Sequence, residues 1–506
     1  MPPAERFNTF KSTENCIGRG LTIWQMTGYT VLVAFKVCFS HSGRSPETSP
    51  KSGRQPLPQI MNGMPVTYMK ADRILLSTAM LLAAVLHAGT DSNVRYFSNA
   101  GDDAADGLTP QTAWCSLEKL AKDLPAGGEA RLRRGDTFYG RVRLKPGRDA
   151  AHRTTLTAYG DGPAPEISAF KIAKPTLGTW TFSGTNNLWR LDLSDFSKID
   201  GNHMTSDGNV GFLKVDGTIF ARKLFDLERL QKQWDFIDDG RTVTVWSQKN
   251  PSELSKDIRI APNMGTIPFV NHMELRGVVV RGTGAHGSNG VGADIRIVDC
   301  GFHEIGGSKL PGYGDGRTRY GNCIECWAGS TDVQVTRCSF SGVYDVAFTM
   351  QGPNPVRSWE NVHVTDSVFS NCTQCIEIWT TKCKPGIGMK NCSFQRNVCV
   401  NSGFGWGYDT RPNKDCSTPL LVYGMQTDVC DLLVKDNTFI NNRLALVYKS
   451  DGLGELPEGY LIEGNTIIGN PTIRQHGGKR PDAAAAREAL IRSRNTFRSL
   501  GSSGGK

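Results

Sequence analysis

The feature that most constrains the fold is a six-residue pattern that recurs five times between residues 322 and 447. In every copy the third and fifth positions are apolar, while the second, fourth and sixth positions vary. This alternation is typical of a β-strand with one buried face. The copies are residues 322–327 (NCIECW), 344–349 (YDVAFT), 374–379 (QCIEIW), 402–407 (SGFGWG) and 442–447 (NRLALV).

A second pattern lies between these copies and carries a cysteine or a small polar residue at one fixed position. Its members are residues 335–340, 364–369, 434–439 and 461–466, with a looser copy at 394–399. The fixed position recurs every 28–40 residues, at Cys300, Cys338, Ser367, Asn397, Asn437 and Asn465. Repeats of this length indicate a solenoid. Small polar residues stacked at one turn of each coil predict an all-β fold, a right-handed parallel β-helix.

The ends of the solenoid are predicted to carry helices. Residues 117–124 have apolar side chains on one side of a short amphipathic helix, which suits a cap over the open end of a coil. Pro481 and Asp482 begin a second short helix that is expected to reach about Arg492. We predict one domain over 89–500, with irregular β-structure inserted at 175–260, regular coils at 270–475 and a disordered tail at 501–506.

The N-terminal region is predicted not to belong to the fold. Residues 69–88 combine Lys70 and Arg73 with an apolar run and small residues at the end, as a secretory signal peptide does. Residues 1–68 are then a non-native or disordered extension, and the protein is secreted or periplasmic. The alternative is a protein tethered to a membrane by this segment.

The net charge argues against nucleic acid and anionic membranes as partners. The formal charge is +9, of which residues 1–88 contribute +5, so that about +4 remains for the expected mature chain. A mildly basic groove would still favour an acidic polymer. A solenoid of this size is expected to be monomeric.

Three short motifs resemble a known superfamily. Residues 106–110 (DGLTP) with Trp114, residues 134–138 (RGDTF) and residues 158–163 (AYGDGP) resemble the opening of secreted carbohydrate-active proteins of the pectate-lyase-like β-helix superfamily. The resemblance covers roughly residues 94–500. It implies the architecture more strongly than the reaction, because polysaccharide lyases, glycoside hydrolases and epimerases share this fold. The aspartate motifs of polygalacturonases and of calcium-dependent pectate lyases are not evident.

The candidate catalytic residues are Glu325 and Glu377, at the outward-facing fourth position of the six-residue pattern. They are two coils apart, so their backbones are expected about 10 Å apart on one face. Two carboxylates at such a separation leave room for the water of an inverting glycoside hydrolase, and one of them is expected to have a raised pKa. Asp345 is a third carboxylate nearby.

The same face offers residues for binding a sugar. Trp327 and Trp379 occupy the sixth position, with Thr349 expected between them. Small residues at the fourth position, Gly292, Ala347 and Gly405, are expected to leave a groove. We favour a glycoside hydrolase with Glu325, Glu377 and Asp345 in the catalytic site and the two tryptophans in substrate binding. The simpler interpretation is that these residues lie on a solvent-exposed face of the sheet and have no catalytic or binding role.

Loops beside this face suggest an alternative reaction. Arg317 and Arg319 lie in the insertion 306–321, and Lys382, Tyr408 and Arg411 follow later strands. A lyase or uronate epimerase needs a base and a cation that neutralises a carboxylate, and these residues offer both. A third possibility is a non-catalytic glycan-binding protein.

The cysteines give no metal site. Eleven of the 14 lie between Cys300 and Cys430, and most are expected to point inward as small apolar residues. Cys383 and Cys416 are on neighbouring loops and are candidates for a disulfide. No cysteine pair has histidine partners at zinc spacing, so neither a metal ion nor another cofactor is expected.

Overall fold

A computed structural model describes residues 24–26, 29–31, 93–173, 180–193, 208–409, 411–412, 414–450, 456–475 and 480–500. The predicted signal peptide (69–88) and tail (501–506) lie outside these residues. So does most of the predicted extension 1–68, in which two short antiparallel strands are described, Trp24–Met26 and Tyr29–Val31. The chain divides into two units, and the following concerns the unit Val85–Leu500.

Three long parallel sheets form the β-helix of this unit, and between residues 273 and 475 each coil contributes one strand to each sheet in turn. The first sheet contains Val94–Phe97, Glu129–Arg133, Thr154–Tyr159, Met273–Arg276, Ala293–Val298, Thr331–Thr336, Trp359–Thr365, Met389–Gln395, Cys430–Lys435 and Tyr460–Glu463. The second contains Thr137–Tyr139, Glu166–Ser168, Val279–Arg281, Gly301–Ile305, Ser339–Val343, Val368–Ser370, Val398–Val400, Thr438–Ile440, Thr466–Ile468 and Thr496–Arg498. The third contains Ile267–Pro268, Ser288–Gly290, Ile324–Trp327, Val346–Pro353, Gln374–Thr381, Leu420–Met425, Val447–Lys449 and Ile473–Gln475. The predicted parallel β-helix is confirmed.

The ladder of small polar residues forms at the turn between the first and second sheets. The backbone N–H of Ser367 donates to Asn397 Oδ1 at 2.9 Å, and that of Asn397 donates to Asn437 Oδ1 at 2.8 Å. The same contact joins Asn437 to Asn465 and Asn465 to Asn495, each at 2.9 Å. These side chains are almost all buried, so each one satisfies a backbone group that would otherwise lack a partner.

The interior of the coils is one continuous apolar core. Stacked phenylalanines of the second sheet run through it, with the rings of Phe340 and Phe369 4.6 Å apart. Both predicted helices are present. The N-terminal helix, Leu117–Asp123, buries Leu117 and Leu120, and the C-terminal helix, Pro481–Arg494, buries Ile491. Among the described residues, one further short α-helix, Pro251–Leu254, and 3₁₀ turns at Pro110–Thr112, Leu227–Arg229 and Gly314–Gly316 make up the rest of the helical structure.

An inserted β subdomain precedes most of the regular coils. One of its two antiparallel sheets contains Thr181–Phe182, Leu188–Asp192, Phe236–Asp238 and Thr242–Trp246. The other contains Lys171–Ala173, Val210–Val215, Ile219–Phe220 and Ile258–Pro262. The subdomain has its own core, with Leu191, Phe236 and Val245 fully buried.

A separate hairpin projects from the coil that carries Glu325. It pairs Ser308–Lys309 with Arg319–Tyr320, within the insertion predicted at 306–321. Across the described segments of the chain, no helix has both the length and the apolar composition needed to cross a bilayer.

The register of the third sheet differs from the alignment of the six-residue copies. Ile324 pairs with Phe348 rather than with Val346, so Thr349 lies between Glu325 and Glu377 where Ala347 was expected. A slip of two residues leaves each side chain on its predicted face, because strands have a period of two. In the preceding coil Asn289, rather than Gly292, pairs with Glu325.

The later copies were also misplaced. Residues 402–407 form turns instead of a strand, and the strand of that coil is Leu420–Met425. The copy contains three glycines and folds outward, where the ring of Trp406 packs on Phe220 of the inserted subdomain. The last copy is displaced by three residues, so that its strand is Val447–Lys449. Cys383 and Cys416, the candidate disulfide, are both unpaired.

Candidate active site

A cavity of about 600 Å³ lies on the outer face of the third sheet. Its charged and ionisable lining residues are His286, Arg319, Glu325, Asp345, Glu377 and Arg411, and its aromatic lining residues are Tyr313, Tyr320, Trp327, Tyr344, Trp379 and Tyr423. The three predicted carboxylates and both predicted tryptophans therefore face one cavity. Stacked parallel strands bring these residues together because neighbouring coils are about 4.8 Å apart.

Glu325 is held by two side-chain amides. Asn322 Nδ2 and Gln351 Nε2 donate to the same carboxylate oxygen, Oε2, at 2.7 and 2.6 Å. Gln351 Oε1 in turn accepts from the hydroxyl of Thr349 at 3.3 Å. Glu325 is only 3% exposed, so its orientation is fixed and its other oxygen, Oε1, is the one left for a substrate or water.

His286 lies on the far side of Glu325 from the tryptophans. The backbone N–H of Asn322 donates to His286 Nδ1 at 3.1 Å, so the proton of a neutral ring is on Nε2. The ring also contacts Tyr320, with the ring centres 5.1 Å apart. Glu325 Oε2 is 3.4 Å from His286 Nδ1.

Glu377 has a different environment from Glu325. Burial raises the pKa of Glu377 to about 8, and the negative charges of Asp345 and Glu325 act in the same direction against the opposing charge of Arg411. The side chain is 8% exposed. Glu377 is therefore protonated at neutral pH, which is the state that a general acid needs.

Asp345 forms an ion pair that closes the floor of the cavity. Arg411 Nη2 contacts Asp345 Oδ1 at 2.6 Å, and Arg411 Nη1 donates to the backbone carbonyl of Tyr344 at 3.2 Å. The Tyr344 ring is buried between two guanidinium groups, with Arg319 4.2 Å and Arg411 5.3 Å from the ring centre. Arg319 also donates to the carbonyls of Gly307 and Gly211, at 2.7 and 3.2 Å.

The two tryptophans form the open side of the cavity. Gln351 lies between them in the register, where Thr349 was expected. The ring centres of Trp327 and Trp379 are 6.4 Å apart, closer than two coils of backbone, so the indoles lean toward each other over Gln351. Trp327 and Tyr423 are 38% and 44% exposed, and such exposed aromatic faces suit the C–H faces of sugar rings.

Three predicted binding residues are not among those that line the cavity. Arg317 forms an ion pair with Asp226 on the surface, at 2.6 Å. Tyr408 packs against Arg443, whose guanidinium is 3.6 Å from the ring centre. Lys382 is exposed in a turn beyond Trp379. Each of these residues lies on the loop expected for it. Closeness in sequence to the strands of the site did not determine whether that loop folds toward the cavity.

The structure adds residues that the sequence analysis did not single out. Asn322, Gln351, Tyr344 and Tyr423 line the cavity. Gln351 was missed because the copies were aligned two residues out of register, and a correct alignment would have placed it between the tryptophans. No group of three or more His, Cys, Asp or Glu side chains able to hold a metal ion occurs within the described ranges.

Similarity to known proteins is found at the level of solved structures. No family model and no curated protein matches the chain. Several solved structures do, among them a glycoside hydrolase (10% identity, 80% of this chain and 96% of that chain, TM-score 0.45) and a complex of XylC with xylose (11%, 80% and 82%, 0.42). An alginate lyase from Paenibacillus sp. str. FPU-7 also matches (11%, 76% and 96%, 0.28).

Proposed function

We propose that the protein hydrolyses glycosidic bonds of a polysaccharide, with Glu377 as general acid and Glu325 as general base. The observation that carries this proposal is the placement of two buried carboxylates, two coils apart, on the floor of a cavity bordered by two indoles. Side chains whose backbones are about 10 Å apart can hold their carboxyl groups at the separation of about 6.5–9.5 Å that an inverting enzyme uses, at which a water fits between base and sugar.

The proposed reaction has one step. Glu325 Oε1 takes a proton from a water whose oxygen attacks the anomeric carbon. The bond from that carbon to the glycosidic oxygen breaks, and the leaving oxygen takes the proton of Glu377. Both amide donors hold Glu325 Oε2, which keeps Oε1 directed at the water. The anomeric configuration is inverted in the product.

Asp345 supports this assignment without being a proton carrier. Its charge helps to keep Glu377 protonated, and its ion pair with Arg411 at 2.6 Å holds it beside the acid. Asp345 is therefore proposed as a residue that sets the pKa of Glu377. Replacing it is expected to change the pH dependence of the reaction more than the binding of substrate.

A neutral sugar fits the site better than a uronate at the cleavage point. A lyase needs a cation that neutralises the substrate carboxylate. The two arginines of the cavity already contact protein acceptors, Arg411 the carboxylate of Asp345 and Arg319 two backbone carbonyls. Neither of the other two predicted cations, Arg317 and Lys382, is among the lining residues. We also propose that the protein is exported, because such polysaccharides occur outside the cell.

A screen of neutral and acidic polysaccharides tests the proposal. Hydrolysis produces reducing ends without the ultraviolet absorbance of an unsaturated sugar, and NMR of the first product shows the inverted anomer. Glu377→Gln and Glu325→Gln are each expected to lower kcat by about 10²–10⁴-fold. Glu360→Gln, an exposed glutamate on the first sheet, is the matched control. An unsaturated product would instead identify a lyase, and glycan binding with no turnover a binding protein.

A further inference from the structure

The cavity is walled on the side where the chain enters the third sheet. The hairpin Ser308–Lys309/Arg319–Tyr320 precedes the strand Ile324–Trp327, and it lines the cavity with Leu310, Tyr313 and Thr318. The turns before the strand Leu420–Met425 line it with Arg411, Pro412 and Cys416. Because both segments precede strands of the same sheet, they rise on the same side of the carboxylates.

The wall that the hairpin forms is anchored to the inserted β subdomain. The side-chain amide of Asn209 pairs with the backbone of Lys309 through two hydrogen bonds, at 2.7 and 2.8 Å. The Tyr320 hydroxyl donates to Asn263 Oδ1 at 2.6 Å, and the guanidinium of Arg319 binds the carbonyl of Gly211. Side-chain and backbone contacts on both hairpin strands fix the base of this wall in place.

The second wall is anchored in a similar way. Trp406 stacks on Phe220 of the subdomain, with ring centres 5.2 Å apart and planes 3° from parallel. Its indole N–H donates to the carbonyl of Gly342 at 2.8 Å. Arg411 then joins this segment to Asp345 in the cavity floor. None of the lining residues comes from the subdomain within the part of the chain that the structure describes, so its contribution is to hold the wall.

The opposite side of the cavity is open. Trp327 follows Glu325 by two residues, which places the aromatic row about 7 Å further along the strands than the carboxylate row. Exposure rises in the same direction, from 3% at Glu325 to 38% at Trp327 and 44% at Tyr423. The buried carboxylates therefore lie at the closed end, and the exposed aromatic faces lie at the mouth.

We propose that the enzyme acts on chain ends, so that a terminal sugar unit occupies the closed end and the rest of the glycan lies over Trp327 and Trp379. This inference rests on the proposed function. The hairpin precedes the strand of Glu325, and the second wall precedes the strand that follows Glu377, so the two walls flank the carboxylates along the coil axis as well as on one side. A glycan that enters from the mouth then has no exit behind the carboxylates, so internal bonds do not reach both Glu325 and Glu377. Substrates are thus neutral glycans with a free end, and each turnover releases one short fragment.

Product analysis on the full chain tests the inference. The probes are a neutral polysaccharide that the protein cleaves in the screen and a hexasaccharide of the same sugar labelled at its reducing end. Stepwise shortening from one end, with viscosity falling slowly relative to the release of reducing ends, is expected. Internal cuts with an early collapse of viscosity would overturn chain-end action while leaving hydrolysis intact. Absence of cleavage on every glycan would overturn the proposed function and this inference together.

A hairpin variant identifies the wall as the cause. Residues 311–317 are replaced by Asn-Gly, a two-residue turn that closes a hairpin. The shortened wall is expected to admit internal segments, so that longer products accompany the terminal fragment. Arg317→Ala removes the surface ion pair with Asp226 and the contact of the guanidinium with the Phe225 ring, but leaves the hairpin at full length. It is the control and is expected to retain the wild-type products. An unchanged product pattern in a folded shortened variant would contradict the role of the wall. If that variant does not fold, the wild-type products alone decide the inference.

Discussion

Replacing Asp345 with Asn should move the alkaline limb of the pH–rate profile to lower pH. In the proposed reaction Glu377 is the general acid, so activity should be present below its pKa and should be lost as pH rises through about 8. Asp345 is one cause of that raised pKa, after burial. Removing its charge lowers the pKa of Glu377, and Arg411, which loses its partner carboxylate, acts in the same direction.

The size of the change follows from electrostatics. Asp345 and Glu377 lie on neighbouring coils, and for an assumed charge separation of about 8 Å two unit charges interact by about 2 kcal/mol at an effective dielectric constant of about 20. This corresponds to about 1.5 pKa units. Burial, the largest cause, is unchanged by the substitution. The pKa of Glu377 is therefore expected to fall to between about 6 and 7, still above its ordinary value of 4.5.

The assay is kcat/KM measured from pH 4 to 10 on the best substrate, since this ratio reports the ionisations of the free enzyme. Asp415→Asn serves as the control, because Asp415 is an exposed carboxylate beside the cavity wall that pairs with Arg474. An alkaline limb that stays in place, or moves upward, in Asp345→Asn would refute the argument that Asp345 keeps Glu377 protonated.

Three further outcomes are expected. Glu377→Gln should stabilise the protein by roughly 2–5 kcal/mol at pH 9 and have little effect at pH 4, because ionising the buried acid costs stability progressively between pH 4.5 and about 8. Urea unfolding at both pH values measures this difference. The control variant Glu360→Gln should leave the stability unchanged at both. Asn437→Ala should destabilise by about 1–3 kcal/mol in the same assay, because it leaves buried ladder groups unpaired, and a smaller loss would count against the ladder. Arg317→Ala should lower the free energy of unfolding by less than about 1 kcal/mol, because it removes an exposed ion pair. Arg319→Ala should prevent stable folding, because two buried carbonyls lose their donor. Similar thermal unfolding of the two variants would contradict this.

Much of the site was predictable because of the two-residue period of strands. The apolar third and fifth positions place Glu325 and Glu377 on the outer face of the coil, and a slip of two residues in aligning the copies does not change the face. The same slip did change which residue lies between the two glutamates. Thr349 rather than Ala347 lies between the two acids, which brings Gln351 between the tryptophans. The local sequence pattern therefore predicts the face on which a side chain lies. It is a poorer guide to which residue of the next coil stacks on that side chain.

The loops could not be predicted in this way. Arg317, Tyr408 and Arg411 all lie on loops near the third sheet, but only Arg411 reaches the cavity. The segment that carries it is held by Trp406 against Phe220, a residue of the distant inserted subdomain. Such a contact joins parts of the chain with no common pattern, so no local feature of the sequence reports it.

The sequence by itself determined the coil, its ladder and the face on which the acids lie, because each coil repeats the same short-range demands for buried apolar side chains and satisfied turn groups. Only the tertiary structure decided the register between coils and the closure of the cavity. It also decided the opposite environments of Glu325, held by two amides, and Glu377, buried beside Asp345. These depend on turn lengths and on contacts between remote segments, where burial and charge are set by neighbours in space rather than in sequence.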